Sequence, residues 1–134
     1  MYLIYGILTN ILFLFSPFIF IFRLLYKKED INRFQEKYCI YSVKNFQKTI
    51  WFHAVSVGEL MSIIPIIKKL EKNKKVKKII VTSSTTSSAK IFEKQKFKKT
   101  IHKFFPLDTN YLTKKFIKIW KPEVAIFVDS EIWP

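Results

Sequence analysis

The sequence predicts an α/β protein, in which an apolar amino-terminal helix precedes strands and helices that alternate as in a parallel sheet. Three observations predict it. Residues 2 to 22 carry no charge. Beyond residue 48, apolar runs of strand length alternate with segments of helical period. Helix-capping residues (Ser, Thr, Asp) stand before the helical segments.

Taken in order, the uncharged run would span about 31 Å as a helix, close to the hydrocarbon thickness of a bilayer. It starts at once and ends in Arg23, Lys27 and Lys28, which suits an uncleaved anchor better than a signal peptide. Basic residues at that end alone place the remainder of the chain in the cytoplasm, as a single-pass protein. Asn10 and the Ser16-Pro17 pair weaken the span slightly. Residues 1–26 are therefore read as a transmembrane anchor. Residues 27–48 mix charges with Phe34, Tyr38, Tyr41 and Phe46 and are read as a juxtamembrane helix and linker. The α/β part begins at residue 49.

Its strands are expected at 50 to 55, 78 to 83, 100 to 105 and 124 to 129. The first helix runs from Gly58 to about Lys72, with Leu60, Ile63, Ile64, Ile67 and Leu70 on its apolar face and a kink expected at Pro65. The second runs from about Ser87 to Lys96. The third follows Asp108 or Thr109 and ends near Trp120. Right-handed crossovers gather the segments leaving the strand C-termini along one edge, where ligands of open α/β sheets bind at the reversal of strand order. With the order 3-2-1-4, Glu59 and Glu131 would face each other across that point.

Composition excludes several function classes. Lys and Arg number 24 against 10 Asp and Glu, which points to anionic partners such as a membrane surface or a phosphorylated ligand. Only Arg23 and Arg33 are arginines, which argues against a dedicated nucleic-acid reader. One cysteine permits no intrachain disulfide, and His53 and His102 lack metal-ligand spacing, so no structural metal is expected. Gly58 is the only glycine after the anchor, which removes dinucleotide and P-loop motifs, and no cofactor is expected. The lysines between 68 and 78 fall on the opposite edge and read as a solvated face.

Two stretches carry candidate chemistry. Ser56-Val57-Gly58-Glu59 fits a capping box, and it also sets a carboxylate on a turn at the sheet edge, where a general base could stand. Residues alone favour the cap. The hydroxyl run from 82 to 88, with Ser84, Thr85 and Thr86 at its centre, suits phosphate or sugar oxygens before a helix, or is simply a capped loop.

WFHAVSVGE at 51 to 59, VTSSTT at 81 to 86, FFPLD at 104 to 108 and KPEVAIFVDSEIWP at 121 to 134 resemble the N-terminal half of the 3-deoxy-D-manno-octulosonic acid (Kdo) transferases of lipopolysaccharide synthesis. The likeness includes the anchor and Arg33-Phe34-Gln35-Glu36. It implies a GT-B glycosyltransferase with two Rossmann-like domains, residues 49–134 being an incomplete acceptor-binding domain for the lipid A precursor, lipid IVA. CMP-Kdo would bind only through a C-terminal domain outside these residues. Glu59 would be the general base and Glu131 a supporting or acceptor-contacting residue, with Ser56, Gly58, Ser84, Thr85 and Thr86 in the acceptor site. The expected location is the cell inner membrane, and these residues alone are expected to transfer nothing. The competing expectation is a non-catalytic, membrane-anchored module that binds anionic lipid or a protein partner.

Overall fold

The computed structural model of the chain describes residues 2–25, 30–42 and 48–128. The predicted parallel α/β architecture is what it contains. An amino-terminal helix α1 (Tyr2–Leu25) is followed by a short 3-10 helix (Phe34–Tyr38). Then β1 (Thr49–His53), α2 (Val57–Lys72), β2 (Lys78–Ser83), α3 (Thr86–Glu93), β3 (Thr100–Phe104), α4 (Asn110–Trp120) and β4 (Pro122–Phe127) alternate. The sheet order is β3-β2-β1-β4, with every pairing parallel. The order therefore reverses between β1 and β4, which is the order on which the facing of Glu59 and Glu131 was conditioned.

Each of the three helices that follow a strand starts where a hydroxyl can satisfy a free N–H. Ser56, Thr85 and Thr109 cap α2, α3 and α4, each accepting from the backbone N–H three residues on. Of the two candidates before α4, Thr109 is the cap. α2 continues through Pro65 to Lys72 without interruption. α3 stops at Glu93, short of the expected Lys96, which has the left-handed backbone angle φ 52.

Two cores sandwich the sheet. On one face, Phe52, Ala54, Ile79 and Val81 meet Leu60, Ile63 and Ile67 of α2 and Phe92 of α3. On the other, Trp51 and Ile80 meet Leu112, Phe116 and Trp120 of α4, with Cys39 closing the layer. Alternate strand residues thus supply opposite faces.

Residues 27–48 are expected to hold a juxtamembrane helix and a linker. Among the described ones only the 3-10 turn is helical, and Cys39 ends it in the left-handed conformation at φ 52. Long-range bonds outweigh helical propensity there. β3 is a sheet edge whose outward backbone groups need partners. Arg33 Nη2 donates to the His102 carbonyl at 2.9 Å, and the Phe104 N–H donates to Glu36 Oε2 at 3.0 Å. Leu107 N–H donates to the Lys37 carbonyl at 3.0 Å. The segment serves as a clasp along β3, and a continuous helix could not reach these groups.

Among the described residues no helix is long and apolar enough to cross a membrane. Where a transmembrane anchor is expected at residues 1–26, the structure has a helix over Tyr2–Leu25, and the span itself is not supported.

Candidate functional site

The turn after β1 is held by a reciprocal set of bonds. The Glu59 N–H donates to Ser56 Oγ at 3.3 Å, and Ser56 Oγ donates to Glu59 Oε1 at 2.7 Å. The second carboxylate oxygen, Oε2, accepts the Val55 N–H at 2.7 Å. This is a capping box whose carboxylate reaches back one residue beyond the cap itself. Each oxygen keeps a further lone pair, and the half-buried group stands at the C-terminal edge of β1, beside the reversal of strand order.

Gly58 is not there for its backbone. It has no positive φ, and a Cβ built on it would meet only Ser56 Oγ, at 3.9 Å. The expected glycine turn is an ordinary first helical turn with open space beside it.

The second predicted stretch leaves β2, whose Thr82 is in register with His53 of β1. The two loops are therefore neighbours along one edge. Thr85 caps α3 through Ser88 N–H at 3.2 Å and shares a hydroxyl bond with Ser88 at 2.8 Å, so its oxygen is committed to structure. Ser84 is exposed and Thr86 half-buried at the helix entrance. Glu131 lies outside the described residues, as does the rest of the 130–134 segment.

Behind the edge lies a buried arrangement that pattern reading missed. Thr82 Oγ1 accepts Trp51 Nε1–H at 2.9 Å and stands 2.9 Å from His53 Nδ1. His53 is 9 % exposed, its ring lying 4.1 Å from that of Phe105. Burial pulls its pKa down, against a hydrogen bond to the Thr82 backbone and the charge of Glu59, which push it up. The ring is neutral at physiological pH. The available signal was positional, since a histidine ending a buried strand must present its ring at the sheet edge.

Ser83 and His102 resemble a nucleophile and its base, with Oγ 2.8 Å from Nε2. They cannot act as one. Arg33 Nη2 faces the other ring nitrogen, Nδ1, at 2.9 Å, and a guanidinium only donates. Nδ1 must accept, so Nε2 carries the proton and donates to Ser83. Burial, together with the charge of Arg33, pulls the His102 pKa down to about 3. The guanidinium is itself clasped by Glu36, with Nε at 3.2 Å and Nη2 at 3.0 Å, and by Glu93 at 3.2 Å. Lys103 completes the group with a 2.7 Å bond to Glu36. The network locks the clasp to the sheet.

The lysines of the α2 end are exposed at positions 68, 69, 72, 74, 75 and 77. They sit at the opposite edge from Glu59. Among the described residues no three His, Cys, Asp or Glu side chains cluster to hold a metal ion.

The sequence also matches known proteins over most of its length. The family described as 3-deoxy-D-manno-octulosonic-acid transferase (kdotransferase) matches residues 32–134. A 3-deoxy-D-manno-octulosonic acid transferase of Rickettsia bellii is 40 % identical over 126 residues, 91 % of this chain and 30 % of the relative. That of Rickettsia felis is 44 % identical over 85 residues, 63 % of this chain and 18 % of its own length. A probable mitochondrial 3-deoxy-D-manno-octulosonic acid transferase of Arabidopsis thaliana is 39 % identical over 85 residues, 63 % of this chain and 19 % of the relative. The chain thus spans about a third or less of the length of these curated relatives.

Proposed function

The chain belongs to the 3-deoxy-D-manno-octulosonic acid transferase family, and from that premise we propose that it forms the acceptor-binding half of a GT-B glycosyltransferase that moves Kdo from CMP-Kdo to the lipid A precursor, lipid IVA. The observation that carries this reading is the Glu59 carboxylate, fixed by Ser56 and the Val55 N–H at the point where the sheet order reverses.

In the reaction a sugar hydroxyl of the acceptor attacks the anomeric carbon of Kdo, CMP departs, and the hydroxyl proton passes to Glu59. CMP is a stable leaving group and needs no strong acid, so alignment and the base carry the rate. Two bonds to fixed groups hold the carboxylate in one rotamer, which is the preorganisation a base requires. Ser56, Gly58, Ser84 and Thr86 are assigned to the acceptor side, Thr85 holding the loop there as the cap of α3, and Glu131 is assigned a supporting role by the family resemblance. CMP-Kdo is bound by the second Rossmann-like domain that the GT-B reading implies.

We propose further that α1 anchors the protein in the cell inner membrane with the α/β part in the cytoplasm. Leu14 and Phe18 are each 72 % exposed on a helix with no charge from residue 2 to 22, a surface that suits lipid rather than water. Ser16 Oγ meets Tyr38 OH at 2.9 Å, so the clasp segment rides beside the last turns of α1. This keeps the acceptor edge close to a lipid substrate.

The test is Glu59→Gln in the enzyme joined to its donor domain. The amide oxygen can accept the Val55 N–H while its NH2 donates to a rotated Ser56 hydroxyl, so the cap survives and the base is gone. Transfer of labelled Kdo should fall by about two orders of magnitude or more with the fold intact. Transfer within threefold of the parent would leave Glu59 as a cap alone.

A further inference from the structure

His53 ends β1 with one ring nitrogen committed and the other not. Nδ1 lies 2.9 Å from Thr82 Oγ1, and that oxygen already accepts Trp51 Nε1–H at 2.9 Å. Thr82 has one proton to give. Two acceptors compete for it, His53 Nδ1 at 2.9 Å and the Phe52 carbonyl at 3.4 Å. Nδ1–H donating to Thr82 Oγ1, with the Thr82 proton on the Phe52 carbonyl, satisfies the same contacts, so the choice of tautomer belongs to the inference. With Nδ1 accepting, the neutral ring carries its proton on Nε2.

Nε2 makes no hydrogen bond among the described residues, and it is not one of the fully enclosed polar atoms. Nor is the ring free to turn. Phe105 packs against it at 4.1 Å and 32°, and Phe127 meets it edge-on at 5.6 Å and 70°. Phe105 follows β3 and Phe127 ends β4, so both walls stand at strand C-termini, on the edge that also carries Glu59.

We infer that His53 contacts the acceptor directly, its Nε2–H donating a neutral hydrogen bond to a sugar oxygen and so turning the neighbouring hydroxyl towards Glu59. The inference rests on reading this edge as the acceptor site. A neutral donor suits the task. A sugar oxygen can accept from Nε2–H through a lone pair while its neighbour yields a proton to the carboxylate, and His53 keeps its own proton throughout. A charged imidazolium would pair with Glu59 instead. Burial of the ring, which holds it neutral, prevents that.

Two substitutions separate this role from a purely structural one. His53→Gln sets an amide N–H near the position of Nε2 and gives up Thr82. His53→Asn keeps a polar partner near Nδ1 for Thr82 and gives up the edge. Binding of the chain, in non-ionic micelles, to a bis-phosphorylated diglucosamine lipid is measured by titration for the parent and both variants. The Asn variant should bind about tenfold more weakly than the Gln variant, the worth of one hydrogen bond to a buried donor. Asn binding as tightly as Gln overturns the contact and leaves the ring structural. No binding by the parent sinks the acceptor reading and the contact with it, whereas a reversed ranking sinks the contact alone. In the parent at neutral pH, long-range proton–nitrogen spectra should give the Nε2–H tautomer. A protonated Nδ1 overturns the inference whatever the variants do to folding.

Discussion

Replacing Glu36 by Gln should cost the fold about 3 kcal/mol at neutral pH, with a cost that disappears in acid. The carboxylate is 7 % exposed and accepts four bonds: Arg33 Nε at 3.2 Å, Arg33 Nη2 at 3.0 Å, Lys103 Nζ at 2.7 Å and the Phe104 N–H at 3.0 Å. All four are donors. Gln offers one oxygen and turns an NH2 towards either the cations or the Phe104 N–H, leaving one side of the site donor against donor. Removing one partner of a buried pair costs ~3–5 kcal/mol, and the lower end applies because Arg33 retains Glu93 and His102. Burial alone would raise the pKa of Glu36, yet the bonds from Arg33, Lys103 and Phe104 outweigh it and the net shift is downward. The stabilisation is therefore complete above the ordinary glutamate value of 4.5 and is lost as pH falls through the lower folded value. Urea unfolding in micelles, followed by the fluorescence of buried Trp51 and Trp120, would compare parent and variant from pH 7 to pH 3. The gap should close on acidification, with other carboxylates cancelling between the two proteins. A gap below about 0.5 kcal/mol at pH 7, or one that stays constant with pH, would refute the view of Glu36 as the centre of the clasp.

Thr82→Val should destabilise the protein by ~1–3 kcal/mol, because it strips a partner from both Trp51 Nε1–H and His53 Nδ1; thermal melting checks this. Gly58→Ala has room for its methyl and a compatible backbone, so the fold should gain roughly 0.5–1 kcal/mol while lipid binding weakens, the Cβ entering the space beside α2 that the acceptor needs. A melt and a titration on the same sample test both halves, and unchanged binding would clear Gly58 of any role. The His102 ring signals should not titrate between pH 8 and pH 5, since its value is about 3. Stability should decline as pH drops below 6.5, where the unfolded chain takes up a proton that the buried ring refuses.

The strands and helices of residues 49–128 were legible because their signals are local. Apolar runs mark the strands, and Ser56, Thr85 and Thr109 each stand three residues before the N–H they satisfy. Chain handedness implied parallel strands with their outgoing loops on one edge, whereas the order β3-β2-β1-β4 entered only as a condition and is supplied by the structure. Long-range chemistry was not legible. Glu36 meets Phe104 across 68 residues, and Arg33 meets His102 across 69, so no window along the chain contains either bond. The 27–48 segment reads as a juxtamembrane helix and linker from its mixed charges and spaced aromatics, whereas in the structure Arg33 and Glu36 serve a sheet edge. Glu59 was half legible. Ser56 and Glu59 announce a cap, but the contact to the Val55 N–H appears only once the turn is built. His53 was not legible, because its partner Thr82 lies on another strand.

The clasp on β3 has a consequence for how this sheet can grow. Side chains of Arg33 and Glu36 occupy the outward groups of that margin, so no incoming strand can zip onto it without first displacing a half-buried guanidinium and a buried carboxylate. The opposite margin, β4, carries no such guard among the described residues and leaves Val124, Ile126 and Phe127 exposed. The sheet is thus a one-ended template. Any further strand, whether native partner or misfolded neighbour, has a single place to start, and the polarity of the whole assembly is set before that strand arrives.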